Sequence, residues 1–166
     1  PQGAKNEALQ VICAVLLTAE KVTISNIPAI RDVVLLIELL QGFGVQTEQI
    51  APDTYTFQAG EVNIDYIYSE EFYKKGGRIR GSVMLIGPLL ARFGKALLPK
   101  PGGDKIGRRR LDTHLLGLES LGARFDYDPD RSLYRIDAPH MRGTYLLMDE
   151  ISVTGTANVV MAAVLT

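Results

Sequence analysis

With 166 residues, a formal net charge of −1 at pH 7, 46% hydrophobic and 22% charged residues, the chain suits one globular domain. No apolar run approaches the ~18 residues that span a bilayer, and the balanced charge excludes a generally basic surface that coats polyanions. The single cysteine, Cys13, excludes an internal disulfide and fits a reducing cytosol.

In chain order, the first segment is an apolar helix that ends at Leu17, and Cys13 within Val11-Ile-Cys-Ala-Val-Leu-Leu17 reads as core packing. An alternating strand, Val22–Ile27, follows. Val33, Leu36, Ile37 and Leu40 then fall at i, i+3, i+4 and i+7, predicting a helix closed by Gly42 or Gly44. Two strands, Val45–Gln49 and Thr54–Gln58, flank a turn at Pro52-Asp53. Tyr68–Gly81 reads as a join, after which a second apolar helix ends at Leu90. A strand at Lys95–Pro99 leads into a glycine-rich basic loop, then a helix with Leu111, Leu115 and Leu118 on one face. Strands Ala123–Tyr127 and Leu133–Asp137 flank Pro129-Asp130, and a third apolar helix ends at Leu165.

The order of elements repeats. From Leu17 to Leu90 is 73 residues and from Leu90 to Leu165 is 75, and the local words agree: Ala14-Val-Leu-Leu-Thr18, Gly87-Pro-Leu-Leu-Ala91, Ala162-Ala-Val-Leu-Thr166. The unit reads as βαβαββ with the first strand of the first unit missing. Approximate units are 1–67, 68–148 and the start of a third at 149–166. Crossover helices imply partly parallel strand pairing, and the hairpins add antiparallel pairs. The expected class is mixed α/β, an α+β fold of repeated units. The chain begins without Met and stops inside an apolar helical pattern, so it is expected to be a piece of a longer protein.

The chemistry concentrates in Pro101-Gly-Gly-Asp-Lys-Ile-Gly-Arg-Arg-Arg-Leu-Asp-Thr-His114. Three glycines allow close approach to a ligand, four cations fall within the six residues 105–110, and one carboxylate, Asp104, sits at the tip. This is a local anion site, suited to a phosphorylated small molecule that receives a proton. The rival readings are a solvated charge run, with Asp104 a turn residue, or a nucleic-acid patch. The run is short and lacks interleaved aromatics, which argues against nucleic acid.

Lys5-Asn6 on the first helix, Arg80-Gly-Ser82 before Gly87-Pro-Leu-Leu-Ala-Arg-Phe-Gly94, the loop Pro101–Gly107, and Ser152-Val-Thr154 before the third helix together resemble the enolpyruvyl transferases. Within that family they resemble the branch that acts on UDP-N-acetylglucosamine in peptidoglycan synthesis. The match runs through the whole chain but covers well under half of such an enzyme. It implies an inside-out α/β barrel domain, here incomplete, whose partner across a central cleft is the second domain of the same enzyme. It also implies phosphoenolpyruvate and UDP-N-acetylglucosamine as substrates, with no nucleic acid and no membrane as partners.

By resemblance, Lys5 contacts phosphoenolpyruvate with Asn6 beside it, and Arg80 contacts the nucleotide sugar. Arg109 serves both substrates, while Arg110, Leu111, Asp112 and Thr113 line the uridine side, and Ser152 and Val153 meet the diphosphate. Capping alone would also explain Ser152 or Thr154, and a surface cation would explain Lys5 or Arg80. Asp104 stands where many members carry the proton-donating cysteine. A carboxyl there must be protonated when needed, so bound phosphoenolpyruvate has to raise its pKa against the pull of Lys105 and Arg109. Three positions depart from the family pattern: Arg110 for the usual proline, Thr154 for glycine and Glu150 for lysine. His114 is expected near the uridine pocket and His140 at the surface. Neither histidine has a partner at metal-ligand spacing, so no metal and no cofactor are expected. The alternatives are the shikimate branch of the family, 3-phosphoshikimate 1-carboxyvinyltransferase, and a non-catalytic anion- or nucleic-acid-binding module.

Overall fold

A computed structural model describes residues 3–100 and 111–166. Helix α1 (Lys5–Ala14) runs into a short 3₁₀ turn (Val15–Leu17) and strand β1 (Lys21–Ile24). Helix α2 (Arg31–Gly42) and the hairpin β2 (Gln46–Ala51) and β3 (Thr54–Gln58) complete the first unit. A 3₁₀ turn (Ile64–Tyr68), α3 (Glu70–Gly76) and a second 3₁₀ segment (Arg80–Leu85) then lead to α4 (Ile86–Phe93). The second unit closes with β4 (Lys95–Pro99), α5 (Asp112–Ser120), β5 (Arg124–Asp128) and β6 (Leu133–Asp137). Helix α6 (Val153–Ala163) opens a third.

The repeat is visible in matching local geometry. Helix α2 presents Val33, Leu36, Ile37 and Leu40 to the core and stops where Gly44 turns left-handed at φ 89°. Gly44 N donates to Gln41 O and Val45 N to Leu40 O, which satisfies two of the helix's last carbonyls. Helix α5 ends the same way: Gly122 at φ 105°, Gly122 N to Glu119 O and Ala123 N to Leu118 O. A side chain with a Cβ pays strain at such a φ, so glycine marks the same junction in both units.

Each unit forms a three-stranded sheet, ordered β1-β3-β2 and β4-β6-β5, and every pair is antiparallel. The expected parallel pairing does not occur among the described residues. Helix α2 does carry the chain from β1 to a strand of the same direction. The returning strand β3 lies between them and hydrogen-bonds to both, because Val22 and Thr47 each find Phe57 opposite. A second difference concerns the join. Where a βαβαββ unit calls for an opening strand, residues 70–76 form α3. Ser69 caps it by accepting from Phe72 N at 3.1 Å, with Glu70 and Glu71 in the first turn and Lys74 and Lys75 in the last. That charge order favours a helix over a strand.

The helices that lead the units pack on one another, with α6 against α4 and α1, and α4 against the turn after α1. Helix α4 is buried from Ile86 to Leu90. Arg92 at its end joins the units. Its guanidinium donates to the carbonyls of Leu16, Thr18, Ala59 and Gly60 at 2.7–3.4 Å. Close packing also sets a stability test at Gly42, where an added Cβ would overlap the Tyr66 ring, itself wedged against Phe43 and Phe72. Overpacking costs about 1–3 kcal/mol, more than the ~1 kcal/mol that alanine gains over glycine in a helix. Gly42→Ala is therefore expected to lower stability by up to about 2 kcal/mol in urea unfolding.

Candidate functional site

The first turns of α1, α2 and α6 and the start of the 3₁₀ segment Arg80–Leu85 converge on one cavity of about 210 Å³. Lys5, Asn6, Asp32, Arg80 and Thr154 supply its polar wall, and Leu9, Val83 and Met84 its apolar floor. Helix α1 buries Ala8, Leu9, Ile12 and Cys13, which leaves Lys5 and Asn6 at its exposed mouth. Burial pushes the Cys13 thiol far above its ordinary pKa, so Cys13 is a packing residue. Lys5 Nζ lies 3.2 Å from Asp32 Oδ2, both side chains more than a third exposed. An ion pair this exposed contributes little, so an incoming anion can share the ammonium at small cost.

Behind the cavity lies a buried polar cluster. Asn158 Oδ1 accepts from Gly87 N at 2.7 Å, and its Nδ2 lies 3.0 Å from Val83 O and 3.1 Å from His114 Nδ1. His114 Nε2 lies 3.2 Å from Thr154 Oγ1. Burial pushes the His114 pKa down to about 4, and the positive charge of Arg80 adds to the effect. The ring is therefore neutral at physiological pH.

A second, open hollow of about 730 Å³ lies on the other side of the α6 N-terminus, between Leu146 and Thr156, and includes Glu150, Ser152 and Val153. Ser152 caps α6 by accepting from Gly155 N at 3.0 Å, and Val153 is exposed. Thr113 donates to Glu150 Oε1 at 3.0 Å, so Glu150 anchors the start of α5 to this segment.

Of the residues singled out from the sequence, Lys5, Asn6 and Arg80 meet in the first cavity, while Ser152 and Val153 border the second. Leu111 immediately precedes α5, which Asp112 begins, with Thr113 buried beside them. Asp104, Arg109 and Arg110 lie outside the described residues. Their C-terminal flank is nonetheless placed, because Thr113 and His114 touch Glu150 and Thr154 at the edge of both hollows. Arg80-Gly-Ser82 divides its labour: Arg80 faces the cavity, and the buried Ser82 hydroxyl lies 2.8 Å from the carbonyls of both Gly76 and Ile79, with one proton to share between them. His114, expected near the uridine side, is a buried link between α5 and α6. Asp32 and Asn158 were not foreseen as site groups. The one signal available was an amide at the second position of the otherwise apolar run 157–163.

Among the described residues no group of three His, Cys, Asp or Glu side chains could hold a metal ion, and no helix is long and apolar enough to cross a membrane.

Repeated α/β units that bring Lys5 and Arg80 from two helix starts to one small polar cavity define a mixed α/β domain of repeated units. The family model for EPSP synthase (3-phosphoshikimate 1-carboxyvinyltransferase) matches residues 1–166, and the chain belongs to that family. It is 61% identical over 165 residues to the UDP-N-acetylglucosamine 1-carboxyvinyltransferase of Bacteroides thetaiotaomicron, covering 99% of this chain and 38% of that protein. The protein of the same name from Porphyromonas gingivalis is 59% identical over 164 residues, again with 99% and 38% covered. The chain thus spans well under half the length of these relatives. Among solved structures, the enolpyruvyl transferase NikO from Streptomyces tendae superposes with a TM-score of 0.69 at 23% identity, over 84% of this chain and 29% of that one. An EPSP synthase from Acinetobacter baumannii gives 0.70 at 13% identity, over 97% and 36%. Both establish the enolpyruvyl transferase fold for this chain.

Proposed function

We propose that this chain is part of one domain of a UDP-N-acetylglucosamine 1-carboxyvinyltransferase, with units near 1–67, 68–148 and 149–166. The enzyme would work in the cytoplasm at the first committed step of peptidoglycan synthesis. The observation that supports this best is the meeting of Lys5, Asn6 and Arg80 in one cavity, in a chain 61% identical to an enzyme of that name. The 3-hydroxyl of UDP-N-acetylglucosamine adds to C2 of phosphoenolpyruvate while a proton from Asp104 goes to C3. The resulting tetrahedral adduct loses phosphate from C2 and a proton from C3 to leave the enolpyruvyl ether. Lys5 and Arg109 would hold phosphoenolpyruvate. Arg80, Arg110, Leu111, Asp112, Thr113, Ser152 and Val153 would hold the nucleotide sugar. The general base belongs to the other domain, so this chain alone would bind without turning over.

The test is phosphate release from phosphoenolpyruvate by the full-length protein, with UDP-N-acetylglucosamine or shikimate 3-phosphate as acceptor. Release with the nucleotide sugar only is expected, and release with shikimate 3-phosphate only would overturn the reading. Asp104→Asn should lower kcat by about 10²–10⁴, the usual contribution of a positioned general acid. A carboxylate is a poor nucleophile toward an epoxide, so fosfomycin should leave the same protein active.

A further inference from the structure

Thr154 borders the cavity that Lys5 and Arg80 line, and the layer behind it dictates what its hydroxyl can do. Asn158 is fully buried, and its Oδ1 is committed to the backbone N–H of Gly87. The other end of the amide is therefore the NH₂ group, which donates to the Val83 carbonyl and to His114 Nδ1. A ring nitrogen that accepts carries no proton, so the single proton of the neutral imidazole sits on Nε2. At 3.2 Å, Nε2–H donates to Thr154 Oγ1. The threonine oxygen thus acts as an acceptor toward the protein and keeps its own O–H for another partner. The same cavity holds an ammonium, shared with the Asp32 carboxylate, and a guanidinium, and the two cations only donate.

We propose that Thr154 is an oxyanion-binding residue: the Asn158–His114 pair holds its oxygen, and its O–H donates to a phosphate or carboxylate oxygen lodged between Lys5 and Arg80. His114 is then a positioning residue that acts through Thr154. The inference deepens the preceding reading and rests on it for the identity of the natural anion, either phosphoenolpyruvate or the diphosphate of the nucleotide sugar.

The experiment titrates this chain and its Thr154→Val and Thr154→Ser variants by NMR with three probes: inorganic phosphate, phosphoenolpyruvate and UDP-N-acetylglucosamine. Valine keeps the shape of threonine and removes the hydroxyl. Thr154→Val should raise Kd about tenfold for at least one probe, while Thr154→Ser stays close to the parent, as expected for loss or retention of one charge-assisted hydrogen bond. Long-range ¹⁵N–¹H spectra of the imidazole should show the Nε2–H tautomer of His114 in the parent. An Nδ1–H tautomer, or equal affinities for the Val and Ser variants with every probe, overturns the proposal. If phosphate binds but neither organic probe does, the assigned enzyme reading falls, and the Val-to-Ser ratio with phosphate alone decides for or against Thr154. Absence of binding by the parent chain to all three overturns both.

Discussion

Asn158→Leu should destabilise the chain by about 3–5 kcal/mol, on the scale of ~1–3 kcal/mol for each buried polar group left without a partner. The side chain is fully buried and serves three groups at once: Gly87 N–H, Val83 C=O and His114 Nδ1. Leucine has the same branched skeleton of heavy atoms but satisfies none of them. The gain in apolar burial is small because the surroundings are polar on that side. Two of the orphaned groups are backbone atoms of α4 and the segment before it, so the damage falls on the α4–α6 contact that ties the third unit to the second. A typical domain holds only ~5–15 kcal/mol in total, so the variant should be near its folding limit at 37 °C. Urea unfolding of parent and variant measures the difference, and a loss below about 1 kcal/mol would mean that the cluster is not closed as described. Asn158→Asp is the informative companion. It keeps an acceptor for Gly87 but offers no donor to Val83 or to a neutral His114. Its deficit should shrink on acidification, as His114 takes up a proton and pairs with the new carboxylate.

The same residue shows where reading from sequence stops. Helical periodicity places α2 and α5, and the glycines that end them at matching positions expose the repeat before any coordinate is known. Those features depend on neighbours within a turn. Sheet order does not: β3 comes to lie between β1 and β2 because the hairpin folds back into the gap left by the crossover, a pairing with no local signature. The Tyr68–Gly81 segment misled for a different reason, since its charges and glycines suit a linker and a short capped helix equally. At the site, Lys5 and Arg80 were recognisable only through family resemblance. As isolated residues each is an ordinary surface cation. Asp32 and Asn158 escaped because their roles arise from packing between helices 27 and 71 residues apart in sequence from Lys5 and Gly87. An amide within an apolar helix is the kind of local conflict that marks a buried network, and it was legible in principle.

Acid should unfold this chain in a window set by His114. In the folded protein its pKa is pushed down to about 4 from an unfolded value of 6.5, by burial first and by Arg80 second. The sign follows from proton counting. Between these two values the unfolded chain binds a proton that the folded chain refuses, so acidification favours unfolding. The stabilisation is fully present above about pH 6.5, declines as pH falls toward 4, and is gone below it. A shift of this size corresponds to about 3 kcal/mol, at ~1.4 kcal/mol per pH unit. Protonation has a structural cost as well as an electrostatic one. A proton on Nδ1 would point at the amide NH₂ of Asn158, two donors face to face, and the amide cannot turn without breaking its bond to Gly87. Carboxylates lose their own contributions nearer pH 4, so the diagnostic range is pH 6.5–4.5. The other histidine, His140, is exposed. His114→Gln keeps a donor toward Thr154 and an acceptor toward Asn158 but cannot titrate. Its urea midpoint should change far less across that range than the parent's, even if its stability at pH 8 is lower. Parallel pH dependence in the two proteins would show that His114 is solvated and that the link from Asn158 to Thr154 is broken in solution.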